Sequence, residues 1–146
     1  MLVIGILALV LAISAPPIYR ARVKEPMRQT ILGMQDAFEA ARAGSILTGK
    51  ETRVVFHPLE QKYSVEGGMT GGKPNVATSG TIPESIRIEM LDVNMFSFLM
   101  QPEARVRFFP DGTCDEFTLI VVSTRHEYTK ITLDPVTSIY TVGDVR

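Results

Sequence analysis

The chain has 146 residues, which suits one domain of ordinary size with at most one appended element. Its 15 basic and 16 acidic residues give a formal net charge of −1, which argues against a generally nucleic-acid-binding surface. The single cysteine, Cys114, excludes an internal disulfide, and much of the 45% hydrophobic content lies in residues 1–18.

The first predicted element is an apolar helix at the N-terminus. Every residue from Met1 to Ala15 is apolar or small, and no charged residue precedes Arg20. A bilayer core about 30 Å thick needs about 20 such residues in a helix, so the run is slightly short of a full span. We interpret residues 1–18 as a membrane and assembly helix with a bend at Pro17. Its apolar side chains are Leu2, Val3, Ile4, Ile6, Leu7, Leu9, Val10, Leu11 and Ile13.

Two other interpretations of this run fit less well. A cleaved secretory signal needs a basic region before the apolar residues, which this sequence lacks, and Pro16 is a poor residue just after a scissile bond. A buried core helix would carry polar residues on one face, and this segment has none. The first basic residues of the chain follow the apolar run and are Arg20, Arg22, Lys24 and Arg28. The positive-inside rule alone would therefore place the remaining chain in the cytoplasm.

Residues 19–48 are predicted to continue the helix as an amphipathic segment. An apolar stripe recurs at helical spacing, while the other face is polar. The stripe consists of Met27, Ile31, Met34, Phe38 and Ala41. We expect this stripe to pack on the chain's own sheet rather than on a partner helix, and we expect Gly49 to end the helix.

Residues 49–146 have the pattern of an antiparallel β domain. About seven short strands are expected, at residues 52–57, 62–65, 86–90, 105–108, 118–123, 130–134 and 138–142. The glycine-rich residues 66–83 are expected to form a loop. Because short links join consecutive strands, the chain is predicted to be α+β, with a long N-terminal hydrophobic helix packed on a small antiparallel sheet.

The sequence contains no catalytic or cofactor-binding pattern. His57 and His126 lack metal-ligand neighbours at standard spacing, and the glycine-rich loop lacks the ending of a phosphate-binding loop. Asp111, Asp115 and Glu116 have the chemistry of calcium ligands, but an exposed turn rich in Asp and Gly needs no metal. We therefore expect no enzyme activity, no metal and no cofactor.

Four stretches of the chain together match the sequence pattern of a known protein family. They are the apolar run with Pro17, the helix end ARAGSILTGKETRVVF, the segment VRFFPDGTCDEFTLIV and the terminal hairpin ITLDPVTSIYTV. They resemble the type IV pilin superfamily, and within it the minor pseudopilins and minor pilins of the GspH/FimT type. The family often has Thr-Gly where this chain has Thr137-Ser138. The resemblance implies the pilin-like α+β fold and a structural role in a filament.

The resemblance also implies a location and partners. The subunit would be a single-pass protein of the bacterial inner membrane with its β domain in the periplasm. Its partners would be other pseudopilins or pilins, contacted through the N-terminal helix, and the inner-membrane assembly platform. Type II secretion, type IV pilus and competence systems all stay open.

One family motif is absent from this sequence. It is a short basic leader followed by Phe-Thr-Leu-Ile-Glu and, aligned by Pro17, it would end immediately before Met1. We therefore expect Met1 to be an internal methionine, with a leader for cleavage and methylation by prepilin peptidase upstream. The basic residues of that leader would hold the N-terminus on the cytoplasmic side, so the positive-inside rule would then agree with a periplasmic β domain. Without the family's glutamate, the sequence as given is expected to assemble poorly.

A DNA-binding role is the alternative, because some minor pilins of this type bind DNA during uptake. It predicts a basic stripe formed by Arg105, Arg107, Arg125 and Lys130. Exposed strand faces are often basic, so nucleic-acid binding is the less favoured interpretation.

Overall fold

The computed structural model describes residues 26–67 and 79–145. The predicted membrane and assembly helix of residues 1–18 lies outside the described residues, as does the first part of the amphipathic segment. Among the residues that are described, no helix is both long and apolar enough to cross a membrane.

Helix α1 occupies residues 26–48 of the described chain. Its C-terminus lies where the sequence predicts. The Gly49 N–H donates to the Ser45 carbonyl at 3.0 Å. Gly49 has a φ of 67°, the left-handed conformation in which a helix commonly ends and which a side chain would strain.

Nine strands lie in the described part of the chain. They are β1 (Thr52–His57), β2 (Lys62–Gly67), β3 (Gly80–Thr81), β4 (Ile86–Val93), β5 (Phe96–Ser97), β6 (Ala104–Phe108), β7 (Phe117–Ser123), β8 (Tyr128–Leu133) and β9 (Tyr140–Val145). They form two sheets, with the orders β3-β2-β1-β6 and β5-β4-β7-β8-β9. Every pairing is antiparallel. The α+β fold is therefore confirmed.

Two details differ from the expectation. The strands form two sheets rather than one, and the strands β3 and β5 were not predicted. Each of these strands has two residues, which is too short to show the alternating period on which strand prediction depends. β3 also lies inside the stretch of residues 66–83 that was expected to be a loop.

The core joins α1 to both sheets. The Phe38 ring on α1 lies 6.3 Å from Phe56 on β1, 6.2 Å from Phe108 on β6 and 5.5 Å from Phe117 on β7. Phe56 and Phe117 stack on each other across the two sheets at 5.1 Å. Because each buried Phe stabilises the fold by about 1.5–3 kcal/mol, this aromatic cluster fixes α1 over the junction of the sheets.

Candidate functional site

The first candidate surface is the contact between α1 and the sheets. Met34, Phe38 and Ala41 are buried in the core, and Met27 and Ile31 are partly buried against it. The apolar stripe of α1 therefore lies against the sheets of its own chain.

The C-terminal half of α1 is also tied to the sheet by hydrogen bonds. The Thr52 hydroxyl, at the start of β1, donates to the Ala41 carbonyl. The Ser45 hydroxyl lies 2.8 Å from the Arg42 carbonyl and 3.2 Å from the Phe109 carbonyl. These bonds satisfy buried polar groups, and the bonds of Thr52 and of Ser45 with Phe109 fix the C-terminal half of the helix to β1 and to the residue after β6.

Close to the middle of α1, Tyr63 passes between two glycines. A Cβ at Gly33 or at Gly80 would collide with the Tyr63 hydroxyl. Burial raises the pKa of Tyr63, and the nearby Asp36 carboxylate raises that pKa further. The two glycines therefore leave the space that the tyrosine ring needs to reach the helix.

The four residues of the predicted basic stripe do not lie together. Arg105 and Arg107 are on β6 of the four-stranded sheet, whereas Lys130 is on β8 of the five-stranded sheet and Arg125 precedes that strand. Arg105 is paired with Glu103 at 2.6 Å, and Arg107 is paired with a carboxylate at 2.9 Å. Two of the four cations are thus neutralised by their own chain.

The carboxylate that pairs with Arg107 belongs to Asp115, which was expected to be an exposed turn residue. This expectation was wrong, because the Asp115 side chain is only 8% exposed. The cause is local pairing, since the Asp115 N–H donates to the Arg107 carbonyl at 2.9 Å and draws the residue against β6. Burial alone would raise the pKa of Asp115, but hydrogen bonds from Arg107 and Asn94 outweigh burial and hold that pKa below its usual range.

Asp111, in the same turn, has structural contacts as well. Asp111 Oδ1 accepts hydrogen bonds from the Thr113 N–H at 3.1 Å and from its hydroxyl at 2.6 Å. These two bonds lower the pKa of Asp111. Within residues 26–67 and 79–145, no group of three His, Cys, Asp or Glu side chains is arranged to hold a metal ion.

Cys114 precedes Asp115, and its backbone forms an isolated antiparallel β-bridge with Phe108. Its thiol is buried and lies 3.4 Å from the Asp134 carbonyl. Burial raises the pKa of this thiol, which disfavours the reactive thiolate.

The terminal hairpin contains Ser138, at the position where the family often has glycine. This residue has a φ of 57°, in the left-handed region that glycine adopts without strain. Its hydroxyl donates to the Gly112 carbonyl at 2.6 Å. The bond compensates for the strained backbone and joins the terminal hairpin to the turn after β6.

One helix packed across antiparallel sheets, with its C-terminal half tied to them, is a pilin-like fold. The structure of the minor pseudopilin EpsH from the Type 2 Secretion System of Vibrio cholerae is similar to this chain. The likeness covers 80% of this chain and 94% of that chain, with a TM-score of 0.53 and 14% sequence identity. No protein-family model and no curated protein matches the sequence. The structural likeness confirms the pseudopilin fold that the sequence resemblance implies.

Proposed function

We propose that this protein is a minor structural subunit of a type II secretion or type IV pilus-like filament. Residues 1–18 would anchor it in the bacterial inner membrane before assembly, with the β domain in the periplasm. The observation that carries the proposal is the likeness to a minor pseudopilin, which extends over 94% of that chain. The apolar run upstream of α1 supports an anchoring role.

The two parts of the chain would have different tasks. In the membrane and in the filament interior, an apolar helix satisfies all of its backbone groups internally and packs against neighbouring helices. Outside, α1 is held rigidly by Phe38 and by the bonds at Ala41 and Ser45. A rigid helix would transmit the position of the anchor to the β domain, so that packing of the anchors sets the spacing of the domains.

The proposed role uses surfaces and requires no catalysis. Its partners would be other pilin-like subunits and the inner-membrane assembly platform. Prepilin peptidase would be a further partner where a leader precedes the chain.

The proposal is tested by following the tagged full chain in cells of its native filament system. Sheared filaments are purified and probed for the tag, and membranes are extracted with alkali to separate integral from peripheral proteins. We expect the chain in the integral membrane fraction and in filaments. Leu9→Arg, inside the apolar run, is expected to reduce both signals at least tenfold, about the effect of a charge inside a membrane helix.

Leu47→Arg is the matched control, because it makes the same substitution outside the apolar run, at the C-terminal end of α1, where Leu47 is 84% exposed. This variant is expected to retain membrane association and incorporation. A wild-type chain that alkali releases from membranes and that is missing from purified filaments would contradict the proposed function.

A further inference from the structure

The five-stranded sheet ends in an edge strand that no other described strand covers. β9 pairs with β8 in unbroken register from Tyr140 to Val145, and its outer side has no neighbour in the sheet. Five of its six residues are exposed. Proteins usually protect such an edge with proline, lysine or a bulge, and β9 has none of these. Its outer edge is therefore open to pairing with another strand.

The other sheet edges within residues 26–67 and 79–145 are not open in this way. β3 and β5 have two residues each, which is too short to hold a long partner strand. β6 is covered by the segment that follows it, since Cys114 bridges Phe108 and the Asp115 N–H donates to the Arg107 carbonyl at 2.9 Å. In the described part of the chain, β9 is thus the long edge that stays free.

The bonds at the ends of β8 show which backbone groups of β9 point outward. On one side of β8 the Ser123 N–H donates to the Glu127 carbonyl at 3.0 Å, and on the other the Asp134 N–H donates to the Ile139 carbonyl at 3.0 Å. Bonded residues alternate along an antiparallel pair, so β9 bonds to β8 through its odd-numbered residues. The N–H and C=O groups that point away from the sheet belong to Tyr140, Val142 and Asp144.

The side chains of these three residues lie on the side of the sheet that faces α1. Tyr140 and Val142 are paired with Leu133 and Ile131, which are buried in the core. Val142 also lines a groove with Leu32 of α1, and the two side chains are 37% and 46% exposed. A residue paired opposite Val142 would therefore lie between apolar side chains, which favours an apolar residue at that position.

The charges beside this edge favour a basic residue one pair further along. Glu127 and Asp144 line the groove together with one arginine, Arg28, and with His126. No ion pair within the described residues includes Asp144. Opposite charges on paired strands stabilise the pairing, so lysine or arginine fits opposite Asp144. The edge therefore matches a strand that carries an apolar and a basic residue two positions apart.

We propose that an extended segment of a different pilin-like subunit binds beside β9 as a sixth strand of this sheet. The inference deepens the proposed function and rests on it for the identity of the partner. A minor subunit has other subunits as its neighbours. One free edge accepts one strand, so the contact does not propagate from copy to copy.

A second copy of this chain fits the edge less well. Val145 lines a groove with Met27, and Tyr140 lines another with Phe38, so β9 runs in the opposite direction to α1. Antiparallel pairing of two β9 strands would therefore turn the two α1 helices in opposite directions. Copies anchored in one membrane have their helices in the same direction.

The contact is first tested in cells of the native filament system. A photoreactive benzophenone amino acid replaces Val142 in the tagged full-length chain, and the product formed on irradiation is identified by mass spectrometry. We expect a product with a different pilin-like subunit, joined within a segment that has the apolar and basic residues described above. The same amino acid at Leu59, which is 65% exposed and lies between β1 and β2, is the control and is not expected to give this product.

Hydrogen exchange then distinguishes strand pairing from a contact of side chains alone. The crosslinked segment is added as a synthetic peptide to the full chain in detergent. We expect exchange of the Tyr140, Val142 and Asp144 N–H groups to slow by about tenfold or more, because each gains a hydrogen bond. The N–H groups of Thr141 and Gly143, which already bond to β8, should change little. Equal slowing of all five, or of none, would contradict strand addition.

Two lysine substitutions at adjacent residues of β9 provide a matched pair for the peptide measurement. Val142→Lys places a charge at the apolar position beside α1 and is expected to weaken peptide binding by about tenfold. Thr141→Lys adds the same side chain on the opposite face of the sheet and is expected to leave binding unchanged. Asp144→Lys opposes the basic residue of the peptide and should weaken binding several-fold.

Three results of the cellular experiment would overturn the inference. They are a product with a second copy of this chain, a product only with proteins that have no pilin-like fold, and no product above the background. Filament incorporation is measured separately. The expected product in a chain that never enters filaments contradicts the proposed function and retains the strand contact, whereas normal incorporation without the product overturns the contact alone.

Discussion

Arg107 and Asp115 form a two-point ion pair that joins β6 to the segment before β7. The Arg107 Nε lies 2.9 Å from Asp115 Oδ2, and Nη2 lies 3.2 Å from Oδ1. The Arg107 N–H also donates to Oδ2 at 3.0 Å, and Asn94 donates to Oδ1 at 3.1 Å. One buried carboxylate therefore accepts four hydrogen bonds and links β6 to the β4–β5 hairpin.

Removing this carboxylate is expected to destabilise the fold. Asp115→Ala leaves four donors without their acceptor, and we expect the free energy of unfolding to fall by about 2 kcal/mol. The half-exposed Arg107 side chain keeps the loss moderate, because water solvates it. Urea unfolding of the full chain in detergent measures the change. Glu116→Ala is the matched control, since the Glu116 main chain makes the contacts with Asn94. Equal stabilities of the two variants would contradict this role.

The same carboxylate makes stability depend on acid. The pKa of Asp115 is lower in the folded chain than the value of about 3.9 in an unfolded chain. Its stabilisation is therefore complete above about pH 4 and is lost as the pH falls through the folded pKa. Wild type is expected to lose more stability than Asp115→Asn between about pH 7 and about pH 3 in urea titrations. The pKa values of Asp111 and Asp134 are also lowered, but these residues are present in wild type and in Asp115→Asn and add the same pH dependence to both. Parallel pH profiles would show that Asp115 is not responsible.

The sequence predicted the elements that have a clear period. Met34 and Phe38 lie at helical spacing and are buried, and the alternating residues of β4 and β6 formed strands as expected. These patterns are local, because each depends on a repeat within one element.

Features that depend on contacts between distant segments were not predictable in this way. The burial of Asp115 arises from pairing with β6, and the short strands β3 and β5 form only because longer strands offer them an edge. The separation of Arg105 from Lys130 likewise follows from the division of the strands between two sheets. The turn between β4 and β5 was not predicted either, because its residues are Asn94 and Met95 and methionine is unusual as the second residue of such a turn.

Because Gly33 lies against Tyr63, replacing this helix glycine by alanine is expected to destabilise the fold. Gly33→Ala improves helix propensity by about 1 kcal/mol, but its Cβ would collide with the buried Tyr63 hydroxyl, which Gly80 confines on the other side. We expect a net loss of about 1–2 kcal/mol, seen as a lower thermal midpoint. Tyr63→Phe in the same chain should recover part of the loss. Gly44→Ala, whose Cβ would lie 3.4 Å from Thr52 Cγ2, should be neutral or stabilising. A similar gain from both alanines would contradict the collision.

The helix terminus provides a test of backbone strain alone. A Cβ at Gly49 would meet no atom within 4 Å, so only its φ of 67° opposes a side chain. Gly49→Ala is expected to lower the free energy of unfolding by about 1 kcal/mol. Gly143→Ala also enters open space, without a left-handed backbone, and should change stability by less than about 0.5 kcal/mol. Hydrogen exchange at the last turn of α1 measures whether the loss is local. Equal effects of the two substitutions would assign the loss to something other than φ.

Met95→Gly tests the backbone strain in the turn between β4 and β5. Glycine adopts the φ of 68° without strain, so the free energy of unfolding is expected to rise by roughly 0.5–1 kcal/mol. Urea unfolding of the full chain in detergent measures the change. A free energy of unfolding that falls or stays the same would contradict backbone strain at Met95.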